Sequence, residues 1–253
     1  MDASSLLAQL DIERQFLSEG CIRETSPHIV RDIRSDGAVC IAYSRLTDGN
    51  ADEVIGAEAA RCRLHGAATE WKAFSHDGPD DLIELLRRHR FIPGPMEAVL
   101  VLDLGRRPAW MDEPSPFRTV RVSSFEDVEV YKSVAEASLA KPYDFTAGQL
   151  REEIATGSTH HLAYIAYADG EAASIGRLYT HPESVFGGLY GGATVAAFRG
   201  RGLYRALVAA RARDAAQFGA KFLYVEALPT SRPILERLGF RCIGATWPCE
   251  FTP

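Results

Sequence analysis

Short apolar runs of strand length alternate with longer segments of helical character along this chain. The second half shows the pattern most clearly. Residues 124–138 and 146–155 read as helices, with Ser124 and Thr146 as N-caps. Residues 161–167 and 171–179 read as strands flanking Asp169-Gly170, a strong hairpin signal. Residues 187–195 are apolar and strand-like. Residues 203–218 form a helix rich in Ala and Leu, with Arg on its polar side and Gly219 closing it. Residues 221–228 have the β-branched and aromatic content of a strand. Residues 231–240 predict a short helix running into Leu238-Gly239-Phe240.

The first half repeats part of this order in shorter form. Residues 38–43 predict a strand, 52–65 a helix stopped by Gly66, and Thr69–Phe74 a strand. Residues 82–89 predict a helix, with Leu82, Leu85, Leu86 and His89 at helical spacing. Residues 97–104 predict a closing strand. Gly66-Ala67 lines up with Gly219-Ala220, and residues 85–91 with 234–240. Between the halves, residues 105–116 are rich in Pro and charge and read as a linker.

Composition narrows the function classes. The 253 residues suit one large domain or two small ones, with 46% hydrophobic and 25% charged residues. A net charge of −6 argues against broad nucleic-acid binding. No apolar run is long enough to span a membrane, and the first residues lack a signal-peptide pattern, so a cytoplasmic protein is expected. Five scattered cysteines without a C-x-x-C spacing read as reduced packing residues. No His or carboxylate spacing supports a metal site; His160-His161 reads as a loop pair before a strand.

The chemistry concentrates at Arg199-Gly200-Arg201-Gly202-Leu203, between a strand and a helix. A glycine loop opening a helix offers unbonded N–H groups and the positive end of the helix dipole, which together bind phosphate. Arg199, Arg201 and Arg205 add cations. The P-loop pattern is absent, because no Gly-Lys-Ser or Gly-Lys-Thr occurs. The dinucleotide fingerprint fails because Arg205 stands where its third glycine belongs. Gly187, Gly188, Gly191 and Gly192 are unusual within a strand and mark a bulge or the close approach of a ligand.

This loop resembles the R-x-x-G-x-G/A loop of the GNAT acetyltransferase superfamily, with Arg199 in the first position and Gly202 as the central glycine. Tyr204 departs from the usual Gly or Ala. The late Leu-Gly-Phe segment is similar too, and so is the order of elements; the resemblance covers roughly residues 118–253. It implies a tandem GNAT fold of α/β (α+β) class, with a mixed, mostly antiparallel sheet flanked by helices in each lobe. Residues 1–104 would be a degenerate, truncated lobe, 105–117 a linker, and 118–253 the acetyl-CoA-binding domain, an arrangement similar to mycothiol-synthase-like enzymes. In the first lobe, Asp48 and Asp52 stand where the Arg-Gly loop would be, and carboxylates there repel a pyrophosphate.

The resemblance further implies acetyl transfer from acetyl-CoA (coenzyme A) to a small-molecule or peptide amine, in a monomer or homodimer. Ala193, Thr194 and Val195 would hold pantetheine and the acetyl carbonyl. Gly200, Arg201, Gly202, Leu203, Tyr204 and Arg205, with Arg199, would hold the pyrophosphate, and Ser231 matches a cofactor-contacting position. The family's usual tyrosine acid is replaced by Leu235. Glu226 is the candidate base, with Tyr190, His181 and Glu183 as alternatives. An acyl-CoA-binding sensor without turnover is the competing function.

Overall fold

The computed structural model describes residues 1–16, 20–158 and 160–252. The elements are α1 (Ala3–Glu13), β1 (Ile22–Thr25), β2 (Ile29–Ile33), β3 (Val39–Ser44), α2 (Ala51–His65), β4 (Thr69–Phe74), α3 (Leu82–Arg88), β5 (Ile92–Pro93) and β6 (Glu97–Asp103). They continue with β7 (Arg118–Arg121), α4 (Phe125–Leu139), α5 (Asp144–Thr156), β8 (His161–Ala168), β9 (Glu171–Tyr179), β10 (Phe186–Thr194), α6 (Leu203–Gln217), β11 (Phe222–Ala227), α7 (Arg232–Arg237) and β12 (Arg241–Phe251). The chain divides into two compact units. One comprises Met1–Val99 with Glu226–Arg232 and Cys242–Pro253, the other Leu100–Val225 with Pro233–Arg241.

The first unit is built on strands in the order β1-β2-β3-β4-β12. Strands β3 and β4 pair in parallel, with α2 as the crossover, and the other pairs are antiparallel. Helix α2 ends where Gly66 turns left-handed, as its glycine stop predicts. The core gathers Ile41, Ile55, Trp71, Phe91 and Phe251, and Trp71 meets Phe91 edge-on at 5.6 Å. Burial pushes the Cys40 and Cys249 thiols up to about 12, so both are inert packing groups.

The second unit follows the order β6-β11-β10-β9-β8-β7. Strands β10 and β11 pair in parallel across α6, and the β10–β9, β9–β8 and β8–β7 pairs are antiparallel. The β8–β9 turn places Asp169 and Gly170 at φ 54° and 85°, the paired left-handed residues its sequence predicts. Ser124 caps α4 in a reciprocal capping box with Asp127. Val128, Tyr131, Val134 and Ala135 of α4 then pack with Ala147 and Leu150 of α5 against Ala163, Ile165 and Ile175.

Three local expectations need correction. Helix α5 begins at Asp144 after Tyr143, not behind a Thr146 cap. Tyr143 is buried beside Tyr131, and that packing sets the helix start in place of a polar cap. The Pro-rich stretch 105–116 is not an open tether. Met111 is fully buried, the Trp110 indole donates to the Leu238 carbonyl at 2.9 Å, and Arg213 donates to the Met111 carbonyl. Two apolar residues inside the polar run anchor it. On α6, Arg211 lies at 1% exposure rather than on the polar side. It donates to the carbonyls of Leu207 and Arg177 at 3.1 Å each, and its guanidinium fills the space beside Gly176.

Candidate functional site

Strand β10 changes partners along its length. Its first part, Phe186 to Gly188, pairs with Phe222 to Tyr224 of β11, and that pairing ends there. On its other side β10 pairs with β9, but the register shifts between Tyr190 and Ala193. Tyr190 faces Arg177 and Ala193 faces Ile175, so Gly191 and Gly192 form the bulge. Gly187 and Gly188 belong to the paired segment, which confines the irregularity to half of the glycines the sequence singled out. Beyond the bulge, the Ala193 carbonyl accepts from the Ser174 hydroxyl at 2.8 Å, and the Val195 N–H donates to Ala173 at 2.9 Å. These bonds fix residues 193–195 on the β9 side.

The chain then makes one 3-10 turn, Ala196–Phe198, and enters the Arg-Gly loop. Gly200 and Gly202 take φ of 77° and 100°, a left-handed alternation that L side chains resist. Gly202 is the N-cap of the 15-residue α6. No side chain among the described residues caps this helix, and its first turn holds no acid. Its leading amides and dipole are therefore presented without a protein anion. Helix α2 differs: Asp52 and Glu53 occupy its first turn, and Asp52 pairs with His89 at 3.0 Å.

The loop's arginines are engaged nearby. Arg199 donates through Nε to the Thr194 carbonyl at 3.0 Å, Arg201 forms a bidentate pair with Asp169, and Arg205 pairs with Glu113. Both ion pairs are exposed, the kind that contributes little stability and exchanges partners readily. Tyr204, the departure from the family pattern, turns inward. Its ring fills the space beside Gly192, where a Cβ would sit only 2.7 Å away, and its face lies 6.0 Å from the buried Arg211 guanidinium. The tyrosine thus leaves the loop's amide face clear.

The remaining candidates stand as follows. Glu226 belongs to the first unit, where its carboxylate accepts from Lys72 at 2.6 Å. Glu70 and Glu97 also approach Lys72, at 3.7 and 3.8 Å. Burial alone would pull the Lys72 ammonium down, but Glu226 and Glu70 outweigh it and hold it above the ordinary lysine range. Burial, set against the attraction of Lys72, raises the Glu97 carboxyl. Ser231 donates to the Leu228 carbonyl at 3.2 Å. Leu235 is completely buried and its side chain is a core residue of the second unit. Tyr190 is exposed on β10, and His181 stacks on His160 at 6.2 Å while accepting from the Glu183 N–H.

Two groupings escaped sequence reading. His161, read as half of a loop pair, starts β8 and lies 2.6 Å from Glu153, beside a cavity of about 190 Å³. In the first unit, Asp11, His76 and Asp77 converge with metal-like geometry, but the Arg14 guanidinium already bridges Asp11 and Asp77 at 3.0 and 2.9 Å. Neither grouping has a short sequence spacing that would announce it.

Comparison with known proteins is consistent with this geometry. A search of curated proteins finds no match. Among solved structures, a functionally unknown conserved protein from Staphylococcus epidermidis superposes with a TM-score of 0.70 at 14% identity, covering 97% of this chain and 99% of that one. A GCN5-related N-acetyltransferase from Kribbella flavida gives 0.68 at 13% identity, covering 98% and 93%. A tandem GNAT protein from the clavulanic acid biosynthesis pathway gives 0.61 at 13% identity, covering 96% and 88%. These likenesses establish a tandem GNAT-type fold. No helix among the described residues is long and apolar enough to cross a membrane. The family model described as "Acetyltransferase (GNAT) domain" matches residues 126–248, a stretch that includes the bulged β10 and the Arg-Gly loop.

Proposed function

We propose that residues 118–253 bind acetyl-CoA along β10 and at the start of α6, and transfer its acetyl group to an amine within a ternary complex. One observation carries the reading: a strand that bulges and leaves its neighbour feeds a loop of two left-handed glycines into an uncapped, acid-free helix N-terminus. That is a fitting cradle for a pantetheine arm ending in a pyrophosphate.

In this reading the main chain of Ala193, Thr194 and Val195 meets the pantetheine and acetyl carbonyl. The amides of Gly200 to Arg205 receive the pyrophosphate, and Arg201 and Arg205 turn from their exposed carboxylate partners toward it. Ser231 supplies a further cofactor contact. The bound thioester supplies an activated acyl group and a thiolate leaving group whose parent pKa is only about 8.5. No side-chain acid is then needed at Leu235. Glu226, which accepts a hydrogen bond from Lys72, is the proposed acceptor of the amine proton, with Tyr190 as the alternative.

The lobe of residues 1–104 is proposed to bind no cofactor, because α2 opens with Asp52 and Glu53 where α6 opens with unopposed amides. Such a silent lobe preceding an active one is the mycothiol-synthase-like arrangement.

Thiol release from acetyl-CoA across a set of amines tests the activity. A thermal-shift titration with coenzyme A tests the site, since a ligand at 100 times its Kd stabilises the native state by about 2.7 kcal/mol. Gly202→Glu should abolish that shift by placing bulk and negative charge among the amides. A folded Gly202→Glu protein still stabilised by coenzyme A refutes the loop assignment.

A further inference from the structure

A half-buried arginine of the second unit has no carboxylate partner among the described residues. Arg177 projects from β9 directly opposite Tyr190, at the start of the β10 bulge. It is half-buried, and its Nε is shut off from solvent with no hydrogen-bond partner. Among the described residues its guanidinium forms neither an ion pair nor a side-chain hydrogen bond. By contrast, Arg201 and Arg205 of the loop are each neutralised by a carboxylate.

The surroundings supply more donors and no acid. A Cβ at Gly191 would lie 3.2 Å from Arg177 Nε and 3.4 Å from the Tyr143 hydroxyl, so both groups border the bulge. Tyr131, fully buried, stacks at a tilt 6.1 Å from Tyr143, and its hydroxyl is also sealed without a partner. The carboxylate on this stretch of α4, Glu136, is committed to the Tyr143 N–H at 3.2 Å and lies 3.8 Å from Lys132. A guanidinium and a phenol left unbonded beside a strand irregularity are costly unless an acceptor arrives. A planar fork of N–H groups is matched by a carboxylate or phosphate.

Position fixes which molecule brings that anion. Arg177 is two residues along β9 from Ile175, which faces Ala193, so both project from the same face of the sheet. At about 3.3 Å per residue, the guanidinium base lies about 7 Å along the strand from the acetyl position assigned above. Accepting that assignment, we propose that Arg177, assisted by the Tyr143 and Tyr131 hydroxyls, selects an acceptor amine that carries an anionic group a few bonds from its nitrogen: a small amino acid-type molecule rather than a polyamine or neutral amine.

Matched pairs of acceptors test this without altering the protein: glycine and glycinamide, β-alanine and its amide, 4-aminobutyrate and its amide, 2-aminoethyl phosphate and ethanolamine. Rates are compared per unit of free-base amine. The anionic member should have the higher kcat/KM by about tenfold to a hundredfold, which is what one charge-assisted hydrogen-bonded contact supplies. The phosphate pair separates a carboxylate site from a phosphate site. Arg177→Met should erase the preference through KM, Arg177→Lys should restore part of it, and calorimetric acetyl-CoA binding should persist in both. Equal or better use of the neutral partners overturns the proposal, as does a preference that survives in Arg177→Met. A wild type that binds acetyl-CoA but acetylates none of these anions also overturns it and leaves the acetyl-CoA reading standing. Failure to bind acetyl-CoA overturns that underlying reading instead.

Discussion

Replacing Lys72 by Met removes the ammonium that donates to Glu226 at 2.6 Å, and the structure sets the size of the consequence. Lys72 and Glu226 have side-chain exposures of 21% and 13%, and Glu97, also beside Lys72, 18%. Stripping one partner from a fully buried pair costs about 3–5 kcal/mol, whereas an exposed pair contributes about 0–1 kcal/mol. Partial exposure puts Lys72→Met at about 2–4 kcal/mol. For a chain of this size that lowers Tm by roughly 5–15 °C. The loss should depend on pH with a definite sign. Burial already raises the Glu97 carboxyl against the attraction of Lys72, so without the ammonium it rises further above its unfolded value; that penalty is full near neutrality and fades as pH falls toward about 4.3, where the unfolded carboxyl protonates. The double variant Lys72→Met/Glu226→Gln should recover part of the stability at pH 7, because the carboxylate nearest the lost ammonium is neutralised, while Glu70 and Glu97 remain. Urea unfolding at pH 7 and 4.5, on both variants and the wild type, measures every term. A loss under about 0.5 kcal/mol, or a loss equal at both pH values, refutes the view that Lys72 stabilises the carboxylates around it.

Glu226→Gln alone keeps Lys72 beside Glu70 and Glu97, so stability should fall by only about 1 kcal/mol. The same change should lower kcat/KM by about 10²–10⁴ if the carboxylate accepts the amine proton, and a loss within twofold assigns that role elsewhere. Leu235→Tyr restores a common family residue, but at a site with no exposed surface. It should cost about 1–3 kcal/mol by overpacking and bring no rise in rate, as urea unfolding and steady-state kinetics would report. Calorimetry with coenzyme A should return one site per chain, and two sites would end the reading of a silent first lobe.

Whatever is encoded over a few residues was legible in the sequence. The Ser124 capping box, the Asp169-Gly170 turn and the left-handed glycines of the Arg-Gly loop each depend on local backbone conformation, so residue type alone announces them. The β10 bulge was legible for the same reason, although two of its four flagged glycines pair normally. What escaped depends on distant partners. Lys72 and Glu226 are 154 residues apart, and nothing near either one names the other. Arg211 reads as a surface residue because its two acceptors are backbone carbonyls, which carry no sequence signature. The 105–116 stretch looks like a tether because Pro and charge dominate it, while burial of Met111 decides its behaviour. Leu235 shows the limit of reasoning from a family: the absence of a tyrosine was plain, but the fate of the position, a sealed core site, needed coordinates.

The contact between Tyr204 and Gly192 imposes an order on evolutionary change. With the ring in place, any side chain at 192 collides with it at 2.7 Å, so the strand position is closed to substitution. Once Tyr204 shrinks to the small residue usual in the family, that barrier vanishes and 192 is free to vary. The two sites therefore drift along a one-way path. Lineages that retain the tyrosine should keep glycine opposite it, and those that lost it should scatter at the strand position, a correlation visible in homologues with no knowledge of substrate.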